Sequence, residues 1–274
     1  MSNASFYNRT RQTPDIRDRL IQRGEWPAVW LHDLLQKSYL GREGITNSGS
    51  YLFADHIYEN QARGEGWFGR VLDYGLLNLP MARAMRRRCA WAAAKILATY
   101  NQSSANSFRL LTVPCGIPRE VLSFVERAQQ SSATRREIYY LGLDLDPTVV
   151  DLAESLRPAT GVKSWLTVIG DALAPQSFPA AMFDCATSTG LGEFLSDELL
   201  CVFYQNVFAA LAPGGVFCTT NLCASPMTVW LLDKFELKAY YRDAGSIGHI
   251  LGRLPWSELE IDEQRGQVYA VAKK

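Results

Sequence analysis

From residue 108 onward the sequence alternates short β-branched and aromatic runs with stretches of helical period, and no other feature restricts the fold as much. "FRLLTV" leads into "PREVLSFVERAQQ", and "IYYLGLDL" into "PTVVDLAESLRP". "SWLTVIGDA", "FDCATSTG", "SDELLCVFYQNVFAALAPGG" and "VFCTTNL" follow in the same manner. Apolar strands separated by helices pair in parallel, and their helices cover both faces of the sheet. The last residues, "LEIDEQRGQVYAVAKK", read as two strands joined by the turn "EQRGQ". The predicted class is therefore α/β, a mostly parallel sheet closed by a C-terminal antiparallel hairpin.

Residues 1–107 have a different texture. "TPDIRDRLIQRGEWPAVWLHDLLQKSYL" has helical periodicity, with Thr13 or Asp15 as a cap and Pro27 interrupting or kinking the run. "GREGITNSGS" reads as a loop, "FADHIYEN" as a short helix, and the residues from "GEGWFGR" to "ILATYN" as one or two more helices. Two readings stay open for this region: a helical subdomain packed on the sheet, or a cap that covers the substrate. The expected division is a helical region over 1–107 and a ligand-binding domain over 108–274.

Charge and composition narrow the partners. Lys+Arg 28 balances Asp+Glu 28, so no net field draws the chain to nucleic acid or to an acidic membrane. The run "RAMRRRCAW", with Arg83, Arg86, Arg87 and Arg88, reads as a solvated helix face; its alternative is docking to an acidic partner. No apolar run approaches the ~20 residues that span a bilayer, and the N-terminus is polar, which makes the cytoplasm the expected compartment. The cysteines at 89, 115, 185, 201, 218 and 223 form no C-x-x-C pair, so buried reduced thiols are expected and a metal site is not.

In open α/β sheets ligands bind beyond the carboxyl ends of the strands, where strand order reverses. The first strand ends in Pro114-Cys115-Gly116, and Gly116 lets backbone approach a ligand closely. Asp144 ends the second strand, where a carboxylate can accept both hydroxyls of a ribose. Asp146 is placed to cap the next helix. Asp171 ends the third strand, where it can accept from an adenine amino group, and "STGLGEFL" ends the fourth. Each aspartate taken alone is equally a cap or a turn residue. A dinucleotide would need N–H groups around its pyrophosphate, and Pro114 and Pro118 each remove one. The turn therefore disfavours a phosphate ligand.

The order "VPCGIPRE", "GLDLDP", "GDAL", "FDCATSTG", "LAPGGVF" resembles the class I S-adenosylmethionine-dependent methyltransferases, over residues 108–274. The resemblance implies a seven-stranded Rossmann-like sheet and S-adenosylmethionine as cofactor. It implies that Pro114, Cys115 and Gly116 lie beside the methionine end, that Asp144 with Leu145 binds the ribose, and that Asp171 with Ala172 binds the adenine. Ser188 and Thr189 would line the sulfur end. The implied reaction is methylation of a small molecule in biosynthesis, releasing S-adenosylhomocysteine (SAH).

The sequence departs from that family at its first turn. Thr112 stands where the family carries an acidic residue that helps hold the cofactor's amino group, and only the middle glycine of three survives. Either other polar groups compensate, or the chemistry differs. In the second case S-adenosylmethionine itself is the substrate of a cyclase, such as an azetidine-2-carboxylate synthase, or of an aminocarboxypropyl transferase, and 5′-methylthioadenosine is released. For the second substrate, Phe6, Tyr7, Tyr51, Phe53, Tyr58 and Trp67 can supply aromatic faces, with Tyr7 and Tyr51 preferred for their loop-like settings. Glu193 is placed either to orient an amine or to cap the next helix, and His56 either as a base or as an ordinary helix residue.

Overall fold

A computed structural model of the chain describes residues 16–46, 51–130, 136–234 and 239–274. Helices α1 (Ile16–Gln22), α2 (Trp26–Leu35), α3 (Tyr39–Thr46), α4 (Tyr51–Glu59), α5 (Gly66–Leu77) and α6 (Pro80–Gln102) come first. Then follow β1 (Ser107–Thr112), α7 (Arg119–Gln130), β2 (Glu137–Asp144), α8 (Pro147–Ser155), β3 (Ser164–Ile169) and β4 (Phe183–Thr189). The rest are α9 (Asp197–Ala210), β5 (Leu211–Leu222), α10 (Pro226–Lys234), α11 (Ala244–Leu251), β6 (Glu258–Gln264) and β7 (Gln267–Lys273). Two compact units result. One comprises the described residues up to Met85 with those of 225–238, the other residues 86–224 with 239–274.

The larger unit is one seven-stranded sheet of order β3-β2-β1-β4-β5-β7-β6, in which β7 alone runs antiparallel to its neighbours. The expected sheet and closing hairpin are both present. Strand order reverses between β1 and β4, which pair in parallel at the centre. Period-two alternation sorts the core. Phe108, Leu110, Ile138, Tyr140, Trp165 and Cys185 are buried with Ile96 and Tyr100 of α6 and Val121 and Phe124 of α7. Leu111, Leu143, Ala186 and Phe217 are buried with Phe203 and Tyr204 of α9 and Ile247 of α11. Burying each large side chain contributes about 1.5–3 kcal/mol. The "LAPGG" run, expected as a turn, opens β5: pairing jumps from Phe183–Leu211 to Cys185–Val216, so the intervening residues bulge.

The smaller unit is helical. Pro27 lies in the first turn of α2, where its missing N–H costs nothing, so it starts a helix instead of kinking one. The expected loop at "GREGIT" is α3. Ser38 Oγ accepts the Gly41 N–H (3.1 Å) and Asp73 Oδ1 accepts the Leu40 N–H (2.7 Å), which caps it. A side chain at Gly41 would collide with the Leu35 carbonyl, so glycine serves close packing here and not a turn. Residues 225–234 return to this unit: Leu231 packs with Ile16, Leu20 and Leu35, and Lys234 pairs with Glu25 at 2.7 Å.

Asp73 is the polar hub of the helical unit. It is fully buried and also accepts from Ser38 Oγ (2.5 Å), His56 Nε2 (2.9 Å) and the Arg63 N–H (2.9 Å). His56 is thereby a buried core residue, as its more ordinary reading had it. Burial raises the carboxyl pKa of Asp73, but the donors outweigh it and hold the value at about 2. A depressed carboxylate contributes stability that is present above the unfolded value of 3.8 and lost as pH falls through about 2. Asp73→Asn is expected to lower stability at pH 7 by about 2–3 kcal/mol and to flatten that acid limb. Urea unfolding at pH 7 and pH 3 measures both, and an unchanged midpoint at pH 7 would contradict the assignment.

Candidate functional site

The turn after β1 approaches a ligand closely while keeping several of its N–H groups engaged within the protein. The Cys115 N–H donates to the Leu143 carbonyl (2.8 Å), the Gly116 N–H to Asp144 Oδ2 (3.0 Å), and the Arg119 N–H to the Ile117 carbonyl (2.7 Å). Pro114 and Pro118 have none to give. Gly116 has φ +49°, and a Cβ there would meet nothing within 4 Å, so open space lies over the turn. A pyrophosphate would find the N–H groups of Cys115, Gly116 and Arg119 already engaged.

Asp144, 5% exposed at the end of β2, also accepts the Asp146 N–H on Oδ1 (3.1 Å). Burial raises its pKa, and the N–H groups of Gly116, Asp146 and Leu145 oppose that rise. A carboxylate has about four acceptor positions, so Asp144 keeps capacity to accept from a ligand hydroxyl. Leu145 is half-buried. Asp146 caps α8 by accepting the Thr148 N–H (2.9 Å), as expected. At the end of β3, Asp171 Oδ1 accepts the Leu173 N–H (2.9 Å) and closes a turn, while the half-buried Ala172 accepts from Asn206 Nδ2 (3.0 Å). These groups suit a nucleoside: acceptors for a diol and an amine, beside a turn open to a group without phosphate.

Beyond β4 the arrangement differs from the sequence reading. Ser188 pairs opposite Thr219 and Thr189 opposite Thr220, so strand alternation turns the two side chains to opposite faces. Ser188 is buried and its Oγ has no hydrogen-bond partner, and Thr189 is half-buried. Glu193 does not cap α9; Ser196 does, accepting the Leu199 N–H (3.4 Å). Glu193 instead pairs with Arg88 of α6, Nη1 to Oε1 at 2.8 Å, with Arg88 buried and Glu193 half-buried. Burial raises the Glu193 pKa and Arg88 opposes it. Arg88 is therefore not on a solvated face. It lies on the sheet-facing side of α6, over Gly190, whose φ is +97° and whose Cβ would fall 2.7 Å from Arg88 Nη2.

Among the aromatic candidates, Tyr7 and Phe6 lie outside the described residues. Tyr51 is half-buried as the first residue of α4, a helix rather than a loop. Phe53 packs with Leu40, Ile57 and Leu77 in the helical core, and Trp67 is 79% exposed. Sequence reading missed Arg242, 4% exposed, which donates to the carbonyls of Gly192 and Leu195 (both 2.6 Å) and to Asp197 (2.9 Å) and so anchors the segment bearing Glu193. All six cysteines are free. Among the described residues no group of three or more His, Cys, Asp or Glu could hold a metal ion, and no helix is long and apolar enough to cross a membrane.

A family model described as "Putative methyltransferase" matches residues 33–223. No curated protein matches the sequence. Among solved structures, a possible exported protein from Bordetella parapertussis is similar at 19% identity, with 95% of this chain and 93% of that one covered and a TM-score of 0.75. The CurJ carbon methyltransferase is similar at 13% identity over 94% of this chain and 69% of that one, with a TM-score of 0.57. The magnesium protoporphyrin IX methyltransferase of Synechocystis, solved with bound SAH, is similar at 12% identity over 80% and 93%, with a TM-score of 0.52.

Proposed function

The chain belongs to the methyltransferase family matched over residues 33–223, and we propose that it transfers the methyl group of S-adenosylmethionine to a small-molecule acceptor in biosynthesis. The observation that carries this reading is the turn at 114–118, open above Gly116, without N–H groups at its two prolines and fastened to Asp144 through the Gly116 N–H. S-Adenosylmethionine supplies an activated methyl on a sulfonium and has no phosphate. Asp144 with Leu145 receives the ribose hydroxyls, Asp171 with Ala172 the adenine edge, and Pro114, Cys115 and Gly116 the start of the methionine chain. Ser188 and Thr189 border the sulfur end, one from each face of β4.

The helical region over 1–107 is assigned the acceptor, with Tyr7 and Tyr51 as its proposed aromatic contacts. Glu193, held by Arg88, positions charge and is not the base. Holding donor and acceptor in line is the main contribution such a site makes. Six free thiols fit the cytoplasm.

Ligand-induced thermal shift tests the cofactor. At a hundredfold excess over its Kd, S-adenosylmethionine is expected to raise the melting temperature by roughly 5 °C. NADH is expected to leave it unchanged. A larger shift with NADH would overturn the assignment.

A further inference from the structure

Arg88 pairs with Glu193 at 2.8 Å, and a second carboxylate, that of the buried Glu120, lies within electrostatic reach of the same guanidinium. Glu120 stands in the first turn of α7, 6% exposed, and no side chain among the described residues donates a hydrogen bond to its carboxyl. Its charge is felt by Cys89 of α6, Cys115 of the turn and Tyr140 of β2, and it in turn feels Arg88. Thr112 cannot serve a ligand from below, because its buried hydroxyl is bonded to Tyr140 Oη at 2.7 Å.

The same sheet face holds further uncommitted polar atoms. Thr187 pairs opposite Thr112, Thr220 opposite both Thr189 and Tyr269, and Tyr269 feels the charge of Arg88. Thr187 Oγ1, Thr220 Oγ1 and Gln267 Oε1 are buried and lack hydrogen-bond partners. Leaving buried polar groups unpaired is costly, so a polar ligand at this face would offset that cost. The charges select its class. With Glu193 committed to Arg88, the remaining carboxylate of Glu120 and the guanidinium it feels match a zwitterion, and an α-amino-acid group is a zwitterion with its two charges close together.

Resting on the cofactor reading above, we propose that Glu120 and Arg88 bind the amino-acid end of S-adenosylmethionine, Glu120 facing the α-ammonium and Arg88 the α-carboxylate. Glu193 holds the guanidinium from its other side, and Gly190 leaves room for it. The acid missing at position 112 is thus supplied from the helix that follows. Burial pushes the Glu120 carboxyl up to about 7, against its own backbone N–H and Arg88. Of its neighbours, burial raises Cys89 to about 12 and takes Cys115 and Tyr140 upward as well, while Arg88 stays cationic. Glu120 therefore changes charge near neutral pH, and burial also raises the carboxyl of Glu193, which Arg88 opposes.

Calorimetry with two ligands tests the proposal: SAH, which has the amino-acid end, and 5′-methylthioadenosine, which lacks it. Glu120→Gln is expected to weaken SAH at least tenfold at pH 8 and to leave methylthioadenosine within twofold. Arg88→Lys is expected to show the same selectivity. Wild-type affinity for SAH should fall between pH 8 and pH 6, and that slope should vanish in Glu120→Gln. If the Gln variant weakens both ligands equally, or neither, Glu120 does not face the ammonium and the proposal is overturned. If the wild type binds neither ligand, the cofactor reading falls with it.

Discussion

Asp144→Ala is expected to weaken SAH binding about ten- to a hundredfold, the largest loss of affinity from any single change at the site. Part of that loss is direct, since a hydrogen bond to a charged acceptor contributes about 1.5–3 kcal/mol. Part is indirect. The carboxylate accepts the N–H groups of Gly116 and Asp146, so its removal leaves part-buried donors unpaired and frees the turn that approaches the ligand. Asp144→Asn separates the two contributions, because it retains one carbonyl acceptor and the side-chain shape. Calorimetry with SAH gives the affinities, and an unchanged Kd in the alanine variant would remove Asp144 from the ribose role.

Arg242→Ala is expected to destabilise the protein by about 3 kcal/mol, the scale for stranding buried acceptors of a charged donor. Its guanidinium satisfies the carbonyls of Gly192 and Leu195 at 2.6 Å each. Its contact with Asp197 adds little, because that carboxylate is 62% exposed and solvent screens it. The same segment carries Glu193, so the variant should also bind SAH more weakly. Urea unfolding measures the first effect, and a midpoint equal to wild type would show that water replaces the guanidinium without cost.

What the sequence revealed follows the range of the forces involved. The strands and the hairpin were legible because alternation and turn residues act over a few positions, and the strand-end aspartates because they recur at the same place in successive units. Asp146 as a helix cap was legible for the same local reason. Arg88 was misread because four arginines in one helix look alike until the sheet decides which faces inward. Residues 41–46 were taken for a loop because Gly41, which lets α3 pack against Leu35, looks like a turn glycine. The bond from Gly116 to Asp144, the anchor at Arg242 and the position of Glu120 all depend on partners far away in the chain, and no local pattern announces them.

The most direct test of methyl transfer is to incubate the pure protein with S-adenosylmethionine, with and without a pool of small metabolites, and to identify the products by mass spectrometry. The expected result is SAH formed only when the pool is present, matched mole for mole by a metabolite heavier by one methylene. Methylthioadenosine accumulating from S-adenosylmethionine alone, with a cyclic amino acid beside it, would contradict methyl transfer and make the cofactor the substrate.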